Sequence, residues 1–336
     1  MEVLVQNATT NVTERGTVEI VIVATIHLVI LFTAIGGNVA VICAIYKSNK
    51  LRDEVSNLFL VNLAITDLSS ATVVMTSAFI SLVANYWPLG WVWCYAVCMV
   101  NYLLIIVSML TLCFISIDRY LAIVYPLQYI SKLTKVKILL LIGYAWFHGI
   151  SFSIVPVLFQ WIKYDYWEYV CAIEWHEQRQ KALYYVIMAF VFCFLLPGLV
   201  LMFLYCRVLK VAHEKSRRIR VMTFPATDRP KYCNSHKAIK SLLIVIVMYF
   251  LCMTPFSLTK LYKVASQKEK SLPGYLNLVS SIIAYLSSAV NPLIYGIFRK
   301  DFRQAYKLIF RKLFIQSHLA RNTNNTAETS FDRSEF

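Results

Sequence analysis

Long stretches of the chain contain no Asp, Glu, Lys or Arg, and their lengths match the roughly 20 apolar residues that a helix needs to cross a bilayer. Nothing between Glu19 and Lys47 is charged, and between Glu54 and Asp118 the only charge is Asp67. That second stretch is too long for one helix and breaks at Asn85-Tyr86-Trp87-Pro88-Leu89-Gly90, leaving a third helix over Val92–Val124. Further uncharged runs cover Ile138–Ile162, Ala182–Cys206, Ser241–Thr259 and Ser271–Phe298, so the pattern predicts seven membrane-spanning helices. The connections are too short for a separate soluble domain. No internal repeat or low-complexity tract is present, which argues against an inverted-repeat transporter. The first run has no basic stretch ahead of it and no small-residue cleavage site behind it, so it reads as a span.

Composition agrees with a membrane protein: 59% of the 336 residues are hydrophobic, 15% are charged, and mean hydropathy is +0.60. A soluble domain carries about 25% charged residues. The net charge of +15 is therefore not that of a nucleic-acid binder, because too few charges exist to coat a water-facing surface. The basic residues instead set orientation, since cytoplasmic loops near helix ends collect Lys and Arg. They crowd the segment from Arg207 to Lys240, whereas the N-terminal tail has only Glu2, Glu14 and Arg15. The N-terminus is placed outside and the C-terminus in the cytoplasm. Asn7-Ala8-Thr9 and Asn11-Val12-Thr13 are glycosylation sequons in that outer tail, while Asn324-Asn325-Thr326 falls on the cytoplasmic side.

Several polar or helix-breaking residues interrupt the apolar runs. An unpaired charge at Asp67 costs upward of about 2.5 kcal/mol, so the residue must face the bundle interior. Either it is protonated and held by neighbours, or it is a cation or proton site. Asp118-Arg119 is an opposite-sign pair at the inner end of the third helix. Pro197, Pro255 and Pro292 each remove a backbone donor from a helix and invite a kink.

Gly37-Asn38, Leu63-Ala64-Ile65-Thr66-Asp67, Asp118-Arg119-Tyr120, Trp146, Pro197 with Tyr205, Pro255, and Asn291-Pro292-Leu293-Ile294-Tyr295 follow one another, one set per predicted helix. In that order they resemble the motifs of the rhodopsin-like (class A) G-protein-coupled receptors, along nearly the whole chain. The triplet and its continuation to Pro126 look closer to the non-olfactory members than to odorant receptors. The resemblance implies an all-α membrane fold, a seven-transmembrane helix bundle plus a short amphipathic eighth helix. The chain then divides into a glycosylated extracellular tail (1–18), the receptor domain (19–298), a membrane-surface helix (299–314) and a disordered cytoplasmic tail (315–336). It also implies a plasma-membrane receptor that converts an extracellular stimulus into heterotrimeric G-protein activation and catalyses no covalent chemistry.

The same resemblance assigns residues. The activation switch would use Asp118, Arg119, Tyr120, Tyr205, Asn291, Pro292 and Tyr295, with Arg119 held by Asp118 at rest and swinging toward Tyr205 and Tyr295 when active. Leu127 would anchor the G protein, although resting on the bilayer interface explains it too. Asp67, Ser108, Ser288 and Asn291 match a sodium pocket, and an all-oxygen donor set suits a hard cation. The ligand pocket would lie at Asn101, Tyr102, Ile105, Ala189, Met253, Phe256, Ser257, Lys260 and Tyr285. Cys94 and Cys171 match the family's disulfide, with Cys98 one helical turn deeper as a competing partner. Phe298, Phe302, Tyr306, Ile309 and Phe310 recur at helical spacing among Arg299, Lys300, Arg303, Lys307 and Arg311, which predicts a basic amphipathic helix on anionic lipid. Ser317, Thr323, Thr326, Thr329, Ser330 and Ser334 would accept phosphate for arrestin, or form an ordinary polar tail.

Three departures from the family pattern bear on function. Asn101 stands where amine receptors place an acid, and Ala189 and Cys193 stand where catechol-type receptors have hydroxyls, so a biogenic amine is not expected despite the aromatics Tyr285 and Phe256. Tyr285 stands where opsins carry the retinal lysine, and no Lys occurs from Ser271 to Phe298, so no retinal is expected. Met253 replaces the usual Trp of the sixth helix, and Ser235 replaces an acid that restrains the triplet Arg. With only Asp118 left to hold Arg119, basal signalling is expected. Lys260 and Lys263 would attract an acidic ligand or snorkel to the surface. The competing class is an ion-coupled transporter using Asp67, which predicts further intramembrane acids or broken helices.

Overall fold

The computed structural model describes residues 15–125, 129, 133–174, 179–221, 229–266, 273–309 and 311, with side chains in 179, 209, 212–221, 229–242, 264 and 265 excepted. Among them are seven helices long and apolar enough to cross a membrane. They are α1 (Thr17–Lys47), α2 (Asn57–Ala84), α3 (Gly90–Val124), α4 (Lys135–Leu158), α5 (Gln180–Val208), α6 (Leu243–Lys263) and α7 (Gly274–Phe298). Helix α5 continues to Val221 and α6 begins at Arg229. Residues 300–309 form α8. The sequons at Asn7 and Asn11, Leu127, Phe310 and the tail hydroxyls lie outside the described residues.

Local chemistry sets the helix boundaries. Helix α2 stops at Asn85, which adopts the left-handed conformation (φ 63°) that ends many helices, and α3 starts at Gly90, whose φ of 78° favours glycine. At the start of α4 the Thr134 hydroxyl accepts the Lys137 amide at 3.4 Å. In α5 a π-helical turn over Val191–Leu195 precedes Pro197, whose ring cannot fit beneath a regular α-helical carbonyl four residues back. A second π turn, Ser70–Met75, lies just beyond Asp67. The helices carry apolar residues on their outer faces as well: Val29 and Phe32 of α1 and Leu140 and Phe147 of α4 are exposed, as faces against hydrocarbon should be.

The interior is packed and cross-linked by polar groups. Pro292 lacks the N–H that would bond the Ser288 carbonyl. Asn38 fills the gap, its amide donating to Ser288 O at 3.0 Å and to Ala34 O at 2.9 Å. Gly37 permits this approach, since a Cβ there would lie 2.8 Å from the Pro292 ring. On the other side of the bundle Trp146 Nε1 donates to Asn62 Oδ1 (3.0 Å), Asn62 Nδ2 to Thr111 Oγ1 (2.8 Å), and Thr111 to Val107 O (2.6 Å). That chain ties α4, α2 and α3 together, while Gly149 of α4 lets Leu103 and Val107 of α3 pack on its backbone.

One feature differs from the expected all-α architecture. The connection between α4 and α5 is not helical or irregular throughout: β1 (Ile162–Asp165) pairs antiparallel with β2 (Val170–Ile173), placing Tyr164 opposite Cys171. The hairpin is fastened to the start of α3 by the Cys94–Cys171 disulfide, and Cys98 remains a free buried thiol. In α8, Phe302 is fully buried with its ring 5.4 Å from that of Tyr295, and Tyr306 packs over Gly296. The aromatic face of α8 therefore packs against α7, where Gly296 leaves room for it.

Asn38→Ala strands a buried carbonyl and is expected to cost about 1–3 kcal/mol; thermal unfolding of detergent-solubilised receptor checks it, with an unchanged midpoint as the contrary result. Gly37→Val should be at least as harmful, since the Pro292 ring is rigid.

Candidate functional site

The residues expected to form the ligand pocket surround two adjoining cavities. The deeper, of about 40 Å³, is lined by Asp67, Asn101, Ser108, Tyr285, Ser288 and Asn291 among others. The outer, of about 110 Å³, is lined by Tyr102, Ala189, Ser257 and Lys260. Ile105, Tyr249, Met253 and Phe256 line both, so α3 and α6 form the shared wall. Tyr249 donates to the Ile105 carbonyl at 3.1 Å and braces α6 on α3 there. Met253 is buried at this boundary, filling the place of the family's Trp with a flexible side chain.

Asp67 is buried in the deeper cavity and accepts Asn291 Nδ2 at 2.8 Å. Ser108 bonds Thr66 across α2 and α3, Oγ to Oγ1 at 3.0 Å. Carboxylate, amide and hydroxyl oxygens thus converge on a space that holds more than one water, since about 10–15 Å³ suffices for one. Above it His27 contacts the Met75 carbonyl through Nε2 (2.9 Å) and the Tyr169 hydroxyl through Nδ1 (3.3 Å), with its ring edge-on to Tyr285 at 5.3 Å. A neutral His with its proton on Nε2 satisfies both contacts, donating to the carbonyl and accepting from the phenol.

Lys260 and Lys263 do not snorkel outward. Lys260 is 7% exposed and pairs with Glu168 of the hairpin turn. Lys263 Nζ reaches Glu168 Oε1 at 2.6 Å and Asp165 Oδ2 at 2.7 Å. Burial alone would raise the Glu168 carboxyl, but the two ammonium groups outweigh it and hold the group at about 2. Neither acid was distinguishable in the sequence from an ordinary loop charge. The only signal was their place in an aromatic-rich loop just ahead of Cys171.

At the end of the bundle away from the hairpin Arg119 is clamped more fully than one acid allows. Its Nε donates to Asp118 Oδ2 (2.7 Å), and its Nη2 to Glu54 Oε1 (2.9 Å) and Ser56 Oγ (2.5 Å). Tyr129 donates to the other Asp118 oxygen at 2.7 Å, and Arg299 approaches Glu54 at 3.7 Å. Burial would raise the Glu54 carboxyl; Arg119 first and then Arg299 hold it below its ordinary value. This corrects the expectation that Asp118 alone restrains Arg119. Glu54 sits between α1 and α2, a position no sequence pattern connects to the triplet. Tyr205 and Tyr295 are buried nearby, and the Tyr295 hydroxyl has no hydrogen-bond partner among the described residues, so it is free to receive a moved Arg119. Ser235 falls in α6 where side chains are not described.

Because the Glu168 carboxyl falls from an ordinary 4.5 to about 2 on folding, its stabilisation is complete above pH 4.5 and is lost as pH drops toward 2. Glu168→Gln is therefore expected to lower the melting temperature by a constant amount from pH 7 to 5, the gap closing only in more acid solution. A gap that closes near neutrality contradicts the pairing.

Comparison with known proteins agrees with this geometry. A family model described as 7 transmembrane receptor (rhodopsin family) matches residues 37–295. The 5-hydroxytryptamine receptor 4 of Cavia porcellus is 30% identical over 314 residues, covering 88% of this chain and 80% of the relative. The histamine H2 receptor of Canis lupus familiaris is 29% identical over 315 residues, covering 92% and 84%. The crystal structure of squid rhodopsin superposes with a TM-score of 0.77 at 21% identity, covering 89% of this chain and 88% of that one, and so shares the fold. The motif order, the bundle and the family match together place the chain in the rhodopsin family of seven-transmembrane receptors, and it belongs to that family.

Proposed function

We propose that this receptor sits in the plasma membrane with its N-terminus outside, and that a ligand entering the paired cavities releases Arg119 to engage a heterotrimeric G protein. The chain is a G-protein-coupled receptor, and the observation that carries the detailed reading is the clamp on Arg119. A guanidinium held at once by Asp118, Glu54 and Ser56 in a partly exposed crevice is a resting state. Its planar donors can be transferred as a set to new acceptors. Exchange between two such helix arrangements is a population shift that a ligand biases by binding one of them better. Leu127 and the basic inner end of α5 supply the G-protein surface, arrestin binds the phosphorylated tail, and the exposed lysines and arginines of α8 face anionic lipid.

Relatives are named for 5-hydroxytryptamine and histamine, but Asn101 puts a neutral amide at the cavity wall. The ligand of this receptor is therefore not held by an ammonium–carboxylate contact at that position. Retinal is not its ligand either, since α7 contains no lysine. Asp67, Ser108, Ser288 and Asn291 have the oxygen donors to hold a sodium ion, which would add a positive charge beside the Asp67 carboxylate and favour the resting arrangement.

Nucleotide exchange on a panel of G proteins, at equal surface expression, tests the clamp. Wild type should show low basal exchange and Arg119→Ala none. Glu54→Gln should raise the basal rate up to about fivefold, since a partly exposed pair contributes at most about 1 kcal/mol after solvent screening. Equal rates in all three contradict the reading. Replacing potassium by sodium should raise the melting temperature of wild type but not of Asp67→Asn; the same response in both would remove the ion from the account.

A further inference from the structure

The turn of the extracellular hairpin enters the bundle tip first. Glu168 and Tyr169 are both buried, at 2% and 0% exposure. Asp165 shapes the turn, its Oδ1 accepting the amides of Trp167 (3.0 Å) and Glu168 (3.1 Å). Trp167 lies across the first residue of α7, where Gly274 leaves room that a Cβ would fill at 2.1 Å. Tyr169 holds a left-handed backbone (φ 44°), a conformation that costs a tyrosine energy unless its surroundings enforce it. Glu168 meanwhile carries both lysines of α6, and Lys260 stands 5.0 Å over the Phe256 ring at the edge of the outer cavity.

Two ammonium groups one helical turn apart in a dry site need an anion, and here the chain itself provides it. The partners differ in how readily they can leave. The lysines belong to a long transmembrane helix, whereas Glu168 belongs to a short turn whose backbone is strained. An incoming ammonium would have to expel a lysine and leave it buried without a partner. An incoming carboxylate would expel only Glu168, which the loop can carry out to water. Space points the same way, since the outer cavity, of about 110 Å³, is smaller than the roughly 150 Å³ pocket that accepts benzene. Lys260 lines that cavity, so a withdrawal of Glu168 would leave its ammonium group facing the space. The Tyr102 hydroxyl, which faces the Ile173 backbone without a full hydrogen bond, lines the same cavity and offers a further donor.

We propose that Lys260 and Lys263 form an anion site for a carboxylate-bearing ligand, and that Glu168 is its resident occupant, displaced when the ligand binds. The ligand's carboxylate takes the two ammonium groups, and its apolar body lies along Tyr102, Phe256 and the inner wall of α5. The proposal rests on the receptor reading only for its signalling consequence; the anion site itself stands on the geometry.

Removing the resident carboxylate and supplying a free one tests this. In full-length receptor in lipid nanodiscs, Glu168→Ala should lower the melting temperature by about 5–10 °C. Sodium propionate should restore most of that loss when compared with equal sodium chloride. Propionamide should restore nothing, and propionate should act neither on wild type, whose site is filled, nor on Glu168→Ala with Lys260→Met and Lys263→Met. Where Glu168→Ala fails to reach the cell surface, growth in propionate should recover its surface expression. No recovery by either measure, equal recovery with propionamide, or equal recovery in the triple variant overturns the anion site. Nucleotide exchange measured on the same preparations separates the two readings. Thermal rescue in a protein that activates no G protein would uphold the anion site and defeat the coupling, whereas exchange without rescue would do the reverse.

Discussion

A polar group buried in a bundle surrounded by hydrocarbon has no water to return to, so each must find its partner inside the protein. That constraint runs through the whole molecule. Asn38 exists where it does because Pro292 exposes a carbonyl on α7. Asn62 is held between Trp146 and Thr111, and Asp67 is held by Asn291. The apolar surfaces give the helices their place in the bilayer but little choice of neighbour, since lipid is as apolar as leucine. These few directional bonds set which helices touch and in which register.

At the two ends of the bundle the same constraint becomes a mechanism. Each end has a cation removed from most of its water that cannot stand alone. At the hairpin end Lys260 and Lys263 are neutralised by Glu168 and Asp165; at the opposite end Arg119 is neutralised by Asp118 and Glu54. In both cases one partner comes from a helix and another from a loop or helix terminus. A pair of that kind is stable when intact and exchangeable when a better partner arrives. The two clusters are linked through α3 and α6, whose shared wall carries Tyr249, Met253 and Phe256 beside both cavities.

Much of this was legible in the sequence, for physical reasons. Uncharged runs reveal spans because the bilayer punishes charge. The family resemblance implied the Cys94–Cys171 bond, which forms, and pointed to residues that line the two cavities. What stayed hidden was the work of loops. Glu168 lies 92 residues from Lys260 and Glu54 lies 65 from Arg119, and nothing in a helical period relates such positions. The hairpin was missed because its strands are only four residues each. It survives by the disulfide and by burying its tip, neither of which propensity can register. The packing of the α8 aromatics on α7 was hidden for a similar reason, because the space opened by Gly296 depends on how two helices meet.

The central claim is that the buried charges are held in place by one another. Exchanging the signs of one pair tests it most directly, through the thermal stability of Glu168→Lys, Lys260→Glu and the two combined in lipid nanodiscs. Each single change should destabilise the receptor, and the combined change should recover part of the loss, because the 168–260 pair is rebuilt with its charges reversed while Lys263 keeps only Asp165. A combined variant as unstable as the sum of the singles would contradict the account.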